Sequence, residues 1–353
     1  MNIAIDVSPL KTGHFLQHRV RGTGFYIENL KRSLSKYDRQ NSYTFFTQGE
    51  KLSKNIDLIH YPYFEPFFLT LPLHKSYSTV VTVHDLTPLV FPKHFPAGIR
   101  GKVKWQIQKW NLRRSAVIIT DSQASKSDIV QYTGISDTRV HVVYLAAGEE
   151  FKKINIKYQK SKIDEKYHLP EKFVLYVGDA TWNKNLPNLI RAIQKINLTL
   201  VMVGKATAEQ DFDRTNPWNY DLATIESLAK NDKRIIRLGF IPQEDLVVLY
   251  NLATVFAMPS IYEGFGLPAL EAMTCGTPVV STKGGSLAEV VNDAGLVVDP
   301  YDIDSIANGI GEVFFTKKLQ EELSKKGLLQ AKKFSWEKTI KQTIKVYEAV
   351  CKR

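Results

Sequence analysis

Residues 254–282, TVFAMPSIYEGFGLPALEAMTCGTPVVST, read as strand, loop, helix and strand. The flanking runs TVFAMPS and TPVVST are short and apolar without polar alternation, as strands covered on both faces are. Pro268 suits the first turn of the helix, where its missing N–H is no loss. Gly264 and Gly266 let the backbone approach a ligand closely. The same rhythm recurs outward from this block. NIAIDVS, YTFFTQ, IDLIHYP, TVVTVHD and AVIITDS read as strands before it, as do FVLYVGD, LTLVMVG and RIIRLGF. Helix-like stretches fall at 24–37, 124–133, 185–196, 220–230, 243–252, 266–275, 286–292 and 303–316. The pattern predicts an α/β protein of two doubly wound parallel sheets facing each other across a cleft.

The rhythm restarts after the polar stretch FKKINIKYQKSKIDEKYHLPEK, so the expected domains are 1–160 and 161–335. The tail SWEKTIKQTIKVYEAVCKR reads as one more helix, 336–353. Its stripe of Trp336, Ile340, Ile344, Tyr347 and Val350 has core spacing and is expected to pack back on the first domain. A length of 353 residues suits two cores. No apolar run reaches the roughly 18 residues a membrane span needs. The N-terminus begins directly as a strand, with no secretory signal pattern, and Cys275 and Cys351 lie far apart. A reduced, cytoplasmic setting is expected.

The net charge is +11. Residues 1–150 hold 19 Lys and Arg against 12 Asp and Glu, so the first half is the basic one. Nucleic acid, an anionic membrane and a phosphorylated substrate all fit such a balance. With no zinc-finger spacing and no RNA-binding aromatic signature, nucleic acid is not expected as a partner.

Glu263 precedes the central helix and Glu271 lies one turn inside it, about 5.4 Å further along the axis. The helix start receives phosphate, whereas an acid there repels it. The two glutamates are better suited to accept hydrogen bonds from hydroxyls, as a sugar or ribose presents. As isolated residues they also fit an N-terminal acid favouring the dipole and a solvated acid on a helix face.

The longer block EGFGLPALEAMTCGTPVVSTKGGSLAEVVNDAGLVVDP, residues 263–300, resembles the signature of the retaining nucleotide-sugar glycosyltransferases of family 4, which have the two-domain GT-B fold. Their E-x7-E motif matches Glu263 and Glu271. The resemblance is strongest over 173–300. It implies that Glu263 contacts the donor's hexose and Glu271 the ribose, with Gly264, Phe265, Gly266 and Leu267 contacting sugar and phosphate through their backbone. It also implies an acceptor-side first domain and a donor-binding second one.

YVGDATWNKNLPNLIRAI opens the second domain. Related enzymes often read G-x4-R-K-N here, with Arg and Lys clamping the diphosphate. This chain has Gly178 and Lys184, but Asn183 stands where the arginine would be; Gly178 and Asn183 are both assigned to donor binding. A cation at a helix start is unfavourable without an anion to meet, so Lys184 is assigned to the diphosphate. Lys205 and Arg21 are candidate substitutes for the arginine.

In the first domain, VVTVHDLTPLVF places His84 at the C-terminal end of a strand, where the resemblance puts the histidine near the transferred sugar; a buried, satisfied histidine is the alternative. Asp85, its neighbour on a strand, faces the other way. VRGTGFYIENL resembles the family's first loop, with Gly22 and Gly24 against phosphate or acceptor; an ordinary glycine turn fits equally. Residues 93–114 carry Lys93, Arg100, Lys102, Lys104, Lys109, Arg113 and Arg114 with no acid, interleaved with Trp105, Ile107 and Trp110. Such a helix is either a solvated one with a packed face or one that lies on an anionic membrane.

The expectation is therefore a retaining hexosyltransferase, with mannose favoured, acting from a nucleoside diphosphate sugar on a hydroxyl of a glycan or lipid-linked oligosaccharide in cell-surface polysaccharide assembly. Catalysis is assigned to Glu263, His84 and Lys184. No metal or cofactor is expected, since the D-x-D strings at Asp211/Asp213 and Asp302/Asp304 read as solvent-facing. A nucleotide-sugar 2-epimerase of the same architecture and a non-catalytic sugar-nucleotide or membrane-binding subunit remain as alternatives.

Overall fold

The computed structural model describes residues 1–11, 13, 21–156, 159–209 and 211–352, without the side chains of Arg21, Gln159 and Lys160. Arg21, named above as a candidate cation, therefore has its side chain outside the described residues. The chain forms two units, Met1–Ala146 with Phe334–Arg353, and Ala147–Lys333.

The first unit is built on β1 (Asn2–Asp6), β2 (Ser42–Phe46), β3 (Leu58–Tyr61), β4 (Ser78–Thr82), β5 (Val117–Thr120) and β6 (Val140–Val142), in the order β2-β1-β3-β4-β5-β6. Every pairing is parallel. Parallel strands need helices on both faces, and β3 and β5 are buried along their whole length accordingly. The C-terminal helix Trp336–Cys351 belongs to this unit. Its Tyr347 hydroxyl lies 2.7 Å from His60 Nδ1, and Thr339 Oγ1 donates to the Tyr144 carbonyl at 2.7 Å. Trp336, Ile340, Tyr347 and Val350 are buried; Ile344 is only half-buried, with Thr343 and Val346 turned inward beside it.

The second unit holds β7 (Val174–Val177), β8 (Leu200–Val203), β9 (Ile235–Gly239), β10 (Val255–Met258), β11 (Val279–Ser281) and β12 (Leu296–Val297). The order is β12-β11-β10-β7-β8-β9, again all parallel. The chain starts centrally at β7, builds outward to β9, and returns to lay β10 on the other side of β7. That reversal places a crevice at the C-terminal ends of β7 and β10, where open α/β sheets bind ligands. Helix Leu186–Lys195 covers the sheet with Leu186, Leu189, Ile190 and Ile193, a helical-period stripe that is fully buried.

The division falls earlier than residue 160, at Ala146/Ala147. Phe151 packs edge-on against Tyr250 with ring centroids 5.8 Å apart. Asn251 accepts from the Ile154 amide at 2.9 Å and donates to the Lys152 carbonyl at 3.0 Å. These contacts tie the segment to the second unit. The polar stretch also holds a helix of its own, Gln159–Tyr167. No helix among the described residues is long and apolar enough to cross a membrane.

Candidate active site

In the second unit, the C-terminal ends of β7 and β10 are bound to each other by side chains. After β7 the chain makes a short 3-10 turn, Trp182–Lys184, then enters helix Leu186–Lys195 through Asn185 at φ 59°. The Asn185 amide donates to the Pro259 and Pro300 carbonyls at 3.0 and 2.6 Å. Asn183 donates to the Tyr262 carbonyl at 2.9 Å, accepts from Thr181 Oγ1 at 2.8 Å, and accepts the Ile261 amide on its own carbonyl at 2.8 Å. Asn183 was expected to bind the donor. Its amide is instead buried and engaged at both ends, a strut between the β7 and β10 loops.

Those struts bring Lys184 onto Glu263. The ammonium donates to both carboxylate oxygens, at 2.8 and 2.7 Å, with the two side chains 19% and 7% exposed. The acid and the cation, given separate tasks above, form one ion pair. Glu263 is fixed from behind as well: Ser286 donates to its carbonyl through both backbone and hydroxyl at 3.0 Å. Gly285, at φ 60°, makes this contact possible, since a Cβ there would stand 2.3 Å from the Glu263 carbonyl oxygen. That close approach is the physical content of the G-G in the STKGGS stretch.

Helix Leu267–Cys275 starts at Gly266 (φ 93°) with Pro268 in its first turn, as the sequence indicated. Phe265 is buried. Glu271 is buried too, and its Oε2 accepts from the Tyr250 hydroxyl at 2.8 Å. Burial pushes this carboxyl up to about 8, against the pull of the Tyr250 hydrogen bond and with help from the charge of Glu150. At the next strand end, Gly178 and Gly204 are in contact; a Cβ on Gly204 would lie 1.9 Å from the Gly178 carbonyl oxygen. Lys205, directly after Gly204, is exposed.

In the first unit, His84 follows β4 and Asp121 follows β5. His84 Nδ1 and Asp121 Oδ2 are 2.6 Å apart. Burial pushes the imidazole down, but the charge and hydrogen bond of Asp121 outweigh it and hold His84 above its ordinary value. Nε2 is enclosed, with no hydrogen-bond partner of good geometry among the described residues. Tyr26 meets the ring edge-on at 4.8 Å. Asp85 accepts the Thr87 amide at 2.8 Å and caps a short helix. Asp121 was not singled out from the sequence; the acid ending the run AVIITDS was the available signal. Gly22 and Gly24, expected in a loop, lie in the first turn of helix Arg21–Tyr37, and among the described residues nothing lies within 4 Å of where a Gly22 Cβ would stand.

Helix Gly98–Arg113 leaves Ile99, Val103 and Trp110 exposed among its cations, at 85%, 55% and 52%. Arg114 stacks over Trp110 at 4.3 Å. Asp302 and Asp213 serve as local caps, accepting from the Asp304 and Thr215 amides. Among the described residues no group of three or more His, Cys, Asp or Glu is placed to hold a metal ion.

Residues 159–330 match the family Glycosyl transferases group 1, and residues 12–147 match Glycosyltransferase Family 4. The chain is 33% identical over 306 residues to O-antigen chain mannosyltransferase B of Escherichia coli, a match covering 83% of this chain and 75% of that protein. It is 30% identical over 270 residues to the serotype-specific mannosyltransferase WbdA of Escherichia coli, covering 74% of this chain and 32% of the relative, so it spans about a third of that longer protein. Among solved structures, sucrose-phosphate synthase from Thermosynechococcus elongatus superposes with a TM-score of 0.77 at 21% identity, over 99% of this chain and 98% of that one. Anabaena Alr3699/HepE in complex with UDP and glucose gives 0.73 at 19% identity, over 99% and 100%. At such identities these two structures speak to the fold.

Proposed function

Because the chain belongs to the group 1 glycosyltransferases and has their GT-B fold, we propose that it is a retaining mannosyltransferase that builds a cell-surface polysaccharide from a nucleoside diphosphate donor. The observation that carries this reading is the trio at one sheet edge: Glu263 bound to Lys184, with Glu271 one turn inside the helix that follows. Mannose comes from the two relatives named above, both mannosyltransferases by name.

Glu263 accepts hydrogen bonds from the hexose and Glu271 from the ribose. The backbone of Gly264, Phe265, Gly266 and Leu267 meets sugar and phosphate at the helix start. An ammonium has three N–H donors, and two of Lys184's are on Glu263, which leaves one for a phosphate oxygen. Charge builds on the leaving diphosphate as the C1–O bond breaks, so this contact is strongest in the transition state. Lys205 is the second cation assigned to the diphosphate. No enzymic nucleophile enters the reading: the acceptor oxygen attacks from the leaving-group face, and its proton passes to the departing phosphate. His84 is given no basic role, since Nδ1 is engaged by Asp121 and Nε2 is enclosed. The acceptor is a hydroxyl of a glycan or lipid-linked oligosaccharide, and helix Gly98–Arg113 rests on the anionic surface that carries it.

The test is product analysis. The enzyme is incubated with GDP-, UDP- and ADP-sugars, with and without a mannosyl acceptor, and followed by NMR. Transfer with the donor's anomeric configuration kept is the expected result, persisting in EDTA. An inverted linkage overturns retention, and an epimer or glycal formed from donor alone overturns transfer.

A further inference from the structure

Glu271 does not hold itself in place. Its Oε2 accepts from the hydroxyl of Tyr250, 21 residues earlier on helix Gln243–Leu252. That tyrosine is fully buried. Phe151 meets its ring edge-on at 5.8 Å and Phe256 lies tilted at 5.6 Å. Its carbonyl accepts from Thr277 Oγ1 at 2.5 Å. Ring and backbone are thus clamped from three elements, and the hydroxyl has one direction to point. The Tyr250 hydroxyl engages Oε2, one of the two carboxyl oxygens of Glu271.

We propose that Tyr250 is a positioning residue for donor recognition: by holding Oε2 it aims Oε1 of Glu271 at a ribose hydroxyl of the nucleoside diphosphate. The inference rests on the reading of Glu271 as the ribose contact. Tyr250 itself touches no ligand. Without its hydroxyl the carboxyl has a free rotamer and two equivalent oxygens, and the orientation that meets the ribose is no longer preset. The titratable groups facing this carboxyl are Tyr250 from its helix, Glu150 from the preceding segment and Cys275 from the same helix.

The experiment titrates GDP, UDP and ADP, each beside its 2′-deoxy counterpart, into the wild type, Tyr250→Phe and Glu271→Gln by calorimetry, with thermal unfolding of each variant as a control. The wild type is expected to bind the fitting ribonucleotide at least about tenfold more tightly than the deoxy form, the scale of one well-made buried hydrogen bond. In Tyr250→Phe that ratio should fall below about threefold, with the affinity for the deoxy form nearly unchanged. General loosening of the site would weaken both ligands together and leave the ratio intact, which overturns the inference while Glu271 keeps its role. A wild type that does not distinguish the two sugars overturns the ribose role of Glu271, and the inference with it. Absence of binding by all three nucleotides overturns the nucleotide reading itself.

Discussion

Lys184 and Glu263 stabilise each other while empty and act on a donor when it arrives, so their substitutions have two effects to separate. Each single change to alanine is expected to lower turnover at least about 100-fold, the scale of one positioned charge-stabilising group. Each also leaves the other charge buried without its partner, which costs about 3–5 kcal/mol in such pairs. The double variant Lys184→Met/Glu263→Gln removes both charges, so its melting temperature should lie above that of either single alanine change while its turnover stays lost. Additive losses of stability would show that the pair is not coupled. Glu271 gives the second residue-scale prediction. Its carboxyl is raised from 4.5 to about 8 by burial, so the folded state binds the proton more tightly than the unfolded one. That binding opposes unfolding less and less as pH rises from about 4.5 to about 8, and at higher pH the full penalty of a buried carboxylate remains. At about 1.4 kcal/mol per pKa unit, the penalty is on the order of 5 kcal/mol. Glu271→Gln should therefore raise the melting temperature more at pH 8.5 than at pH 5, as differential scanning calorimetry would show. Glu263 and Glu271 were legible because they stand eight apart in one patterned block. The Lys184–Glu263 pair and Tyr250 were not: the pair joins positions 79 apart, and a tyrosine in an apolar helix carries no mark of where its hydroxyl points.

At the scale of elements, most strands that the sequence revealed are buried on both faces, with the half-exposed edges β2 and β9 read as well. β7, β8 and β10 are uninterrupted apolar runs of four residues, and they are buried throughout. The strands it did not reveal are the edges β6 and β12, of three and two residues, too short for any periodicity. Helix Lys317–Ala331 also escaped, because its charged surface hides a narrow buried stripe of Leu323, Gly327, Gln330 and Ala331. The helix Gly98–Arg113 was visible by its charge, and what the structure adds is the exposed Ile99, Val103 and Trp110 among the cations. If it rests on an anionic surface, Lys102→Glu with Lys109→Glu should weaken cosedimentation with phosphatidylglycerol vesicles at least about tenfold, given roughly 1 kcal/mol per basic residue near such a surface. Transfer to a water-soluble acceptor should be unchanged. Equal cosedimentation of variant and wild type would remove the membrane from the proposal.

For the whole molecule, the first unit is discontinuous: it needs Met1–Ala146 and also Phe334–Arg353. The returning helix carries Tyr347 to His60, which in turn lies 2.8 Å from Thr82 Oγ1 at the end of β4. Truncation after Lys333 is expected to abolish cooperative unfolding of the first unit and preserve that of the second, read as loss of one of two transitions in hydrogen exchange. Retention of both would show that the helix is dispensable.

The same discontinuity sets an order on synthesis. A ribosome usually releases domains to fold from the N-terminus onward. Here the unit begun first lacks Phe334–Arg353 until all of Ala147–Lys333 has been made. For most of its birth the nascent chain therefore carries an open parallel sheet with an uncovered flank, the kind of surface chaperones attend.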